Sequence, residues 1–254
     1  QGVDYILLAA ADPTALIPVC QEAIAAGIPV ICYDGPIASD DPATKVIFDF
    51  YNDGELCGQW AEQYIAANLA DKETVKVAIL DFPASPIVCG LRAQGFKETV
   101  EKVANVEIVA IQDGKASRAD SMSVMENMLQ ANPDIQGVFA ANDEMALGAV
   151  EAIAGAGKDI VVVGFDATDD AIAAIREGRM DGTIAQQPAL IGKTAVENAF
   201  NLTHGVPMAE IQSMLGHSSI MTTEHYASLL RPTAPTASGN KVFNQEFTQR
   251  LEMV

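Results

Sequence analysis

The stretch from Gly137 to Asp166, GVFAANDEMALGAVEAIAGAGKDIVVVGFD, constrains the fold of this chain more than any other. Two short apolar runs, Gly137–Ala141 and Ile160–Gly164, enclose a segment in which apolar residues recur every three or four positions. That spacing is typical of an amphipathic helix. Continuous apolar strands on either side of a helix predict a βαβ unit of a parallel sheet that is buried on both faces.

The polar residues of this stretch occupy predictable places. Asn142 is placed to cap the helix, and Asp143 and Glu144 fall in its first turn, where the helix dipole favours negative charge. Gly155 then ends the helix. Asn142 and Asp166 each follow the carboxyl end of a predicted strand, which is the edge where open parallel sheets bind ligands.

The rest of the chain alternates in the same way. Further strands are predicted at Asp4–Ala10, Ile28–Tyr33, Val46–Phe50, Val75–Leu80, Val106–Ile111 and Gly182–Gln186. Further helices are predicted between Asp12 and Gly27 and near Gly54–Leu69, Ile87–Val103, Asp120–Gln130, Asp169–Glu177 and Ile191–Leu202. Strands that alternate with helices through short connections predict an α/β fold throughout.

Composition excludes several classes of partner. The formal charge of −19 argues against nucleic acid and anionic membranes, because both would repel the chain. No apolar run reaches the roughly 18–20 residues that a membrane span needs. The four cysteines show neither a CxxC pair nor a metal-like cluster, so we interpret them as buried apolar residues. No metal or cofactor motif appears, and we expect neither.

Several strings resemble one family closely: QGVDYILLAAADPTAL, AGIPVICYDGPI, LRAQGFKETV, NPDIQGVFAANDEMALGAVEAI, VVVGFDAT and DGTIAQQP. They are similar to type I periplasmic binding proteins, specifically the ribose-binding group that serves sugar ABC transporters. The resemblance runs from Gln1 to about Gly205. It implies an α/β, two-lobe periplasmic-binding-protein-like fold, in which helices flank parallel sheets and a ligand cleft lies between the lobes.

The resemblance also implies how the chain is divided. Residues 1–49 and 187–204 would form the N-terminal lobe, and residues 50–186 the C-terminal lobe. Family members begin with a strand–helix–strand–helix segment that has no counterpart before Gln1, so we expect the first lobe to be incomplete. The exposed edge of its sheet would then be a candidate for self-association. The resemblance implies a periplasmic or extracellular location, although no signal peptide is visible in this chain.

By the resemblance, seven residues form the ligand site. The positions that match polar contacts are Asp34, Asn142, Asp166 and Gln186, the arginines that match cleft-spanning ones are Arg92 and Arg118, and the aromatic wall is Phe165. Carboxylates and amides suit a ring of sugar hydroxyls because they make several hydrogen bonds at once. The alternative interpretation of the aspartates is turn or helix capping in solvated loops.

The predicted function is therefore non-catalytic capture of a sugar or polyol for delivery to a membrane ABC permease. The chain is not expected to be an enzyme or to need a cofactor. Two positions depart from the family pattern: Gly35 stands where arginine is frequent, and Phe50 stands where asparagine is common. These departures leave the identity of the ligand open among unusual sugars and polyols.

Residues 205–230 resemble something else, the C-terminal active-site segment of tyrosine recombinases. By that resemblance His217 would contact the phosphate and Tyr226 would be the nucleophile. Residues 205–254 carry three basic and four acidic residues, too few cations to neutralise phosphates. We therefore expect neither catalysis nor nucleic-acid binding, and interpret 231–254 as a linker and tail. The alternative function is a catalytically incomplete fragment of a DNA strand-transfer enzyme fused to a binding-protein scaffold.

Overall fold

The computed structural model describes residues 2–205. They form two parallel sheets, ordered β1-β2-β3 and β5-β4-β6-β7-β8. The strands are β1 Ile6–Leu8, β2 Val30–Tyr33, β3 Thr44–Val46, β4 Val75–Asp81, β5 Val106–Asp113, β6 Gly137–Ala140, β7 Val161–Asp166 and β8 Gly182–Ala185. The helices are α1 Ile17–Ala25, α2 Phe50–Asn68, α3 Leu91–Val100, α4 Arg118–Ala131, α5 Asp143–Gly155, α6 Asp169–Arg176 and α7 Pro188–Thr203.

The α/β prediction is confirmed, and the βαβ unit that opened the sequence analysis is β6-α5-β7. β6 and β7 pair in parallel, with Phe139 opposite Val163. The Asn142 side chain caps α5 by accepting a hydrogen bond of 2.9 Å from the backbone N–H of Met145. This unit lies in the middle of the five-stranded sheet and forms the centre of the larger core.

Two boundaries near the amino terminus were predicted wrongly. Helix α1 begins at Ile17 rather than just after Asp12. The Asp12 carboxylate instead closes a tight turn, because it accepts hydrogen bonds from the backbone of Thr14 and Ala15. The third strand ends at Val46 rather than at Phe50.

The reason for the second error is the start of α2. Asp49 caps this helix by accepting a hydrogen bond of 3.2 Å from the backbone N–H of Asn52. Phe50 is therefore the first helical residue, although its apolar neighbours resemble the continuation of a strand. Residues 47–49 cross from the first sheet to the second, and residues 186–187 cross back to α7, which packs on β2 and β3.

Helices α2 and α3 pack backbone to backbone. A side chain on Gly54 would collide with the Arg92 carbonyl oxygen, and one on Gly95 would collide with the Tyr51 carbonyl oxygen. Both positions therefore require glycine. The first of these contacts is made by the backbone of Arg92 itself, so the packing of α2 on α3 helps to position this residue.

An apolar pocket lies in the part of the chain that contains the five-stranded sheet, at the amino ends of β4, β6 and β7. Trp60 lines it and stacks on Tyr64, with ring centroids 5.3 Å apart. No helix among residues 2–205 is long and apolar enough to cross a membrane. The four cysteines are buried and unpaired, as predicted.

Candidate functional site

Arg92 is the centre of the candidate site. Its side chain is only 4% exposed, and Nη1 lies 3.2 Å from Oδ1 of Asp166. The same Nη1 donates a hydrogen bond of 2.9 Å to the carbonyl oxygen of Ala141. The guanidinium carbon lies 3.7 Å from the ring centroid of Phe165 and 5.3 Å from that of Phe50. Two rings and two oxygens thus hold the guanidinium, while its buried Nε has no partner among the described residues.

Asp166 ends β7 in an unusual backbone conformation, with φ at 114°. Burial raises the pKa of its carboxyl group to about 7, and the negative charges of Asp143 and Asp34 act in the same direction. The positive charge of Arg92 opposes them. The side chain keeps 35% of its surface exposed, so the carboxylate is open to a ligand although its surroundings are dense.

Backbone strain marks the same edge of both sheets. Five non-glycine residues in the described range have positive φ: Asp34, Lys115, Ala116, Asp166 and Ala167. Asp34 directly follows β2, Asp166 ends β7 and Ala167 follows it, and Lys115 and Ala116 lie just beyond Gly114 after β5. Each such residue costs of order 1–3 kcal/mol, and strain of this kind concentrates at functional sites. The positive-φ residues of the described range thus gather at the carboxyl edges of the strands, which is the edge where open parallel sheets bind ligands.

Asp34, which directly follows β2, is the residue that the three-stranded sheet contributes to this site. Burial raises the pKa of its carboxyl group, and the charge of Arg92 counteracts that shift. Asp34 also raises the pKa of Asp166. The carboxyl edge of the three-stranded sheet therefore lies near that of the five-stranded sheet, close enough for Asp34 and Arg92 to act on each other through charge, while the direct ion pair is between Arg92 and Asp166.

Amide groups complete the polar set. Gln186 follows β8 in the crossing segment, and its buried Nε2 has no hydrogen-bond partner among the described residues. A buried donor without a partner is costly unless a ligand or water satisfies it. Asn142 uses its side-chain oxygen to cap α5, so only its amide nitrogen is free to donate to a ligand.

Arg118 and Phe165 have partners within the chain that the sequence analysis did not predict. The Nη2 of Arg118 lies 2.8 Å from Asp170 and 3.0 Å from Glu144, in the first turns of α6 and α5, and its contact with a ligand stays a prediction. These carboxylates raise its pKa. Phe165 is fully buried, so its ring supports Arg92 and has no exposed surface to form a wall toward a ligand. The Phe165 ring and the Asp166 carboxylate contact the same guanidinium, and Asp166 leaves the regular strand conformation with φ at 114°.

Sequence reasoning missed two residues that support the site. Asp143 is fully buried and Thr183 is fully buried, and the two share a hydrogen bond of 2.7 Å. Asp143 looked like a first-turn acid placed for the helix dipole. The available signal was the glycine of the VVGFD string, because a side chain at Gly164 would collide with the Asp143 carboxylate. His217 and Tyr226 of the recombinase-like segment lie outside the described residues.

Two parallel sheets that face each other across a polar cleft at their carboxyl edges define the two-lobe class of α/β binding proteins. The chain belongs to the periplasmic binding protein domain family, whose sequence model matches residues 1–206. It is 40% identical over 207 residues to the ribose import binding protein RbsB of Bacillus subtilis. That match covers 81% of this chain and 65% of the relative, so the chain spans just under two thirds of the relative's length.

Solved structures agree. One is the periplasmic component of the arabinose ABC transporter from Shewanella sp. ANA-3, bound to α- and β-L-arabinofuranose, with 33% identity and a TM-score of 0.73 over 81% of this chain and 68% of the other. Another, from Mycobacterium smegmatis in complex with β-D-fucofuranose, has 33% identity and a TM-score of 0.75 over 85% and 77%. Nothing in these comparisons supports the DNA strand-transfer alternative.

Proposed function

We propose that this chain binds a neutral sugar or polyol between the carboxyl edges of its two sheets, and that it delivers the ligand to a membrane ABC permease. The observation that carries the proposal is the cluster of Asp34, Arg92 and Asp166. It combines a fixed guanidinium donor with two partly open carboxylate acceptors. A polyhydroxylated ligand matches both, because each hydroxyl donates and accepts.

The charge of the cluster restricts the ligand further. Two carboxylates and one guanidinium leave the pocket without surplus positive charge, so a sugar acid or sugar phosphate would be repelled. A neutral sugar loses no charge solvation when it enters and supplies hydroxyl donors to both aspartates. Asn142 and Gln186 add amide donors for the ring or hydroxyl oxygens of the ligand. The relative from Bacillus subtilis is named for ribose import, which makes pentoses the first ligands to test.

The role is binding rather than catalysis. Membership of the binding-protein family and the sugars bound in its structural neighbours support this assignment. The same membership supports the proposed delivery to a permease and the proposed location in the periplasm or outside the cell. Self-association along the β1 edge belongs to this proposal as well, and it is addressed by hydrogen exchange below.

A thermal-shift screen followed by calorimetry tests the proposal. A ligand that binds only the folded chain raises the melting temperature, so D-ribose, L-arabinose, D-allose and myo-inositol are compared with D-galacturonate. We expect at least one neutral ligand to stabilise the chain and the sugar acid to have no effect. No stabilisation by any sugar or polyol would contradict the proposal.

Two substitutions then place the ligand in the cleft. Asp166→Ala and Asn142→Ala should each weaken binding by roughly 1–3 kcal/mol, because each leaves ligand hydroxyls without a partner. Asp134→Ala is a matched control. Asp134 is exposed, pairs with Lys76 and precedes β6, so it lies at the amino edge of the sheet, away from the proposed ligand. Wild-type affinity in both test variants would remove these two residues from the site.

A further inference from the structure

We propose that Asp143 and Thr183 form a buried buckle that positions the carboxylate of Asp166 for the ligand and sets its charge. This inference rests on the proposed function in that Asp166 is treated as a ligand contact. Neither Asp143 nor Thr183 faces the ligand, so both are positioning residues. The segment that they hold, residues 166–168, is called the β7–α6 turn below.

The buckle joins three elements through one carboxylate. Asp143, the first residue of α5, has no exposed surface. Its Oδ2 accepts hydrogen bonds from the backbone N–H and the hydroxyl of Thr168, at 2.7 and 3.2 Å. Its Oδ1 accepts a hydrogen bond of 2.7 Å from the Thr183 hydroxyl on β8. Helix α5, the β7–α6 turn and β8 are thereby fixed to one another.

Thr183 closes the buckle from the other side. Its hydroxyl donates to Asp143 and also accepts a hydrogen bond of 3.2 Å from the backbone N–H of Ala167. Two successive amides of the β7–α6 turn, those of Ala167 and Thr168, are therefore held by the same pair of side chains. A valine at position 183 would fill the same space but could neither donate nor accept.

The turn needs this support because it is strained. Asp166 and Ala167 have φ of 114° and 54°, in the region that glycine favours. Such conformations cost of order 1–3 kcal/mol each and persist only where surrounding contacts enforce them. Asp166 points its carboxylate at Arg92 from this strained backbone. Relaxation of the turn would therefore move the carboxylate out of the ligand site.

Gly164 shows that the fold makes room for the buckle. A side chain at this position of β7 would collide with Oδ1 of Asp143 and crowd the Met180 and Ala146 side chains. Glycine is unfavourable in the middle of a strand unless another group approaches closely. Here the approaching group is the Asp143 carboxylate.

The buckle also acts on Asp166 through charge. Burial raises the pKa of Asp143, but hydrogen bonds from the Thr183 hydroxyl, from the hydroxyl and backbone of Thr168 and from the backbone of Phe165 stabilise its ionised form. Ionised Asp143 makes a second negative charge at Asp166 less favourable, and it is one cause of the raised pKa of Asp166. The other charged groups that act on Asp166 are Arg92 from α3 and Asp34 from the loop after β2. The thiol of Cys89 lies nearby, and burial raises its pKa to about 11, so it stays protonated.

A simpler account is that Asp143 only favours the start of α5. Asp169 provides the matched control, because it is the first residue of α6 as Asp143 is of α5, yet it is exposed. An aspartate that only complements a helix dipole would behave like Asp169. A positioning residue would alter the titration of Asp166 and the affinity for the ligand.

The experiment uses the full chain with Asp143→Asn, Asp169→Asn, Thr183→Ser and Thr183→Val. The pKa of Asp166 is measured without sugar, from the carboxyl ¹³C shift of aspartate-labelled protein. The affinity for D-ribose is measured by calorimetry, with circular dichroism to establish that each variant is folded. We expect Asp143→Asn to lower the pKa of Asp166 and Asp169→Asn to leave it in place. We expect Thr183→Val to weaken binding by roughly five- to hundredfold, and Thr183→Ser to restore it.

The outcomes separate this inference from the proposed function. An unchanged Asp166 titration in Asp143→Asn, or wild-type ribose affinity in folded Thr183→Val, would overturn the buckle. If Asp143→Asn does not fold, the Thr183→Ser and Thr183→Val pair decides through the same titration and affinity. If the wild-type chain binds no sugar, the proposed function fails, and the titration of Asp166 still tests the buckle.

Discussion

The guanidinium carbon of Arg92 lies 3.7 Å from the ring centroid of Phe165, and both side chains are almost fully buried. The aromatic ring thus holds the cation beside Asp166. If the proposed ligand binds at this cluster, Phe165 would contribute to binding indirectly, because it fixes the orientation of the guanidinium.

The substitution Phe165→Leu tests that relationship. It should weaken sugar binding by about 0.5–2 kcal/mol, because the ring is lost from beneath the guanidinium. Phe139→Leu is the matched control: Phe139 is equally buried on the neighbouring strand, but its ring stacks on Phe96 at 4.3 Å. Both variants should lower the melting temperature. Equal calorimetric affinities in the two variants would refute a role for the Phe165 ring in binding.

Replacement of Arg92 should affect stability as well as binding. Arg92→Met leaves the Asp166 carboxylate and the Ala141 carbonyl without their donor. The free energy of unfolding should fall by about 2–3 kcal/mol. This is less than for a fully buried ion pair, because the Asp166 side chain is 35% exposed and solvent screens the interaction. The pKa of Asp166 should also rise. Arg92→Lys keeps the charge but not the planar fork, so its loss of stability should be smaller. Urea unfolding measures both, and a loss in Arg92→Lys equal to that in Arg92→Met would contradict the role of the charge.

Sugar affinity should increase with pH around neutrality. The pKa of Asp166 is raised to about 7, mainly by burial, and sugar hydroxyls donate best to the ionised carboxylate. Affinity should therefore rise between pH 6 and 8, by up to about tenfold per pH unit below the pKa. Asp166→Asn should remove this dependence. Calorimetry at several pH values decides, and a flat wild-type profile would show that Asp166 does not titrate in the free protein.

The same group should influence stability in the opposite sense. The folded-state pKa of Asp166 lies above its unfolded value of about 3.9, so the folded state binds more protons between these values. Its contribution to stability is fully present below about pH 4 and is lost as the pH rises through about 7. Relative to wild type, Asp166→Asn should therefore gain stability as the pH rises from 4 to 7. Denaturant unfolding of both proteins across that range measures the difference.

The contact between α2 and α3 should tolerate no side chain at Gly95. Gly95→Ala forces the two helices apart, and such overpacking costs about 1–3 kcal/mol. Because Arg92 lies on α3, sugar affinity should fall as well. Gly192→Ala is the matched control, since Gly192 lies inside α7 with no atom within 4 Å of a new side chain. It should stabilise the chain by about 0.5–1 kcal/mol, and equal effects of the two substitutions on thermal unfolding would contradict this packing.

Hydrogen exchange should differ between the two sheets. In the described range β1 pairs only with β2, whereas β7 lies between β6 and β8. Amides of Tyr5–Ala9 should therefore exchange much faster than those of Val161–Gly164. Equal protection in a dilute sample would contradict the prediction. Protection of Tyr5–Ala9 that grows with protein concentration would instead support pairing of two copies along this edge.

Much of the fold could be predicted from periodicity and capping signals. The unit around α5 followed directly from apolar runs, Asn142 and Gly155. The errors at Asp12 and Phe50 share one cause: a side-chain hydrogen bond to nearby backbone decided where a helix begins. Such bonds depend on local geometry that apolar spacing does not encode.

The site was only partly predictable. Asp34, Asp166 and Gln186 could each be placed at the carboxyl edge of a sheet, because each follows or ends a predicted strand. The partners of Arg118 could not, since Glu144 and Asp170 are far from it in the sequence. The resemblance suggested Phe165 as an aromatic wall, but its ring is fully buried against Arg92, a residue far from it in the sequence.

The location of Trp60 has a spectroscopic consequence. It is the single tryptophan of the chain, and it stacks on Tyr64 beside the amino ends of the strands, whereas the proposed ligand contacts the carboxyl ends. Its emission should report unfolding of the second lobe and remain nearly silent when sugar binds. Lys115→Trp would place a second tryptophan at an exposed position of the carboxyl edge. The emission of that tryptophan should change when sugar binds, which would allow a fluorescence titration.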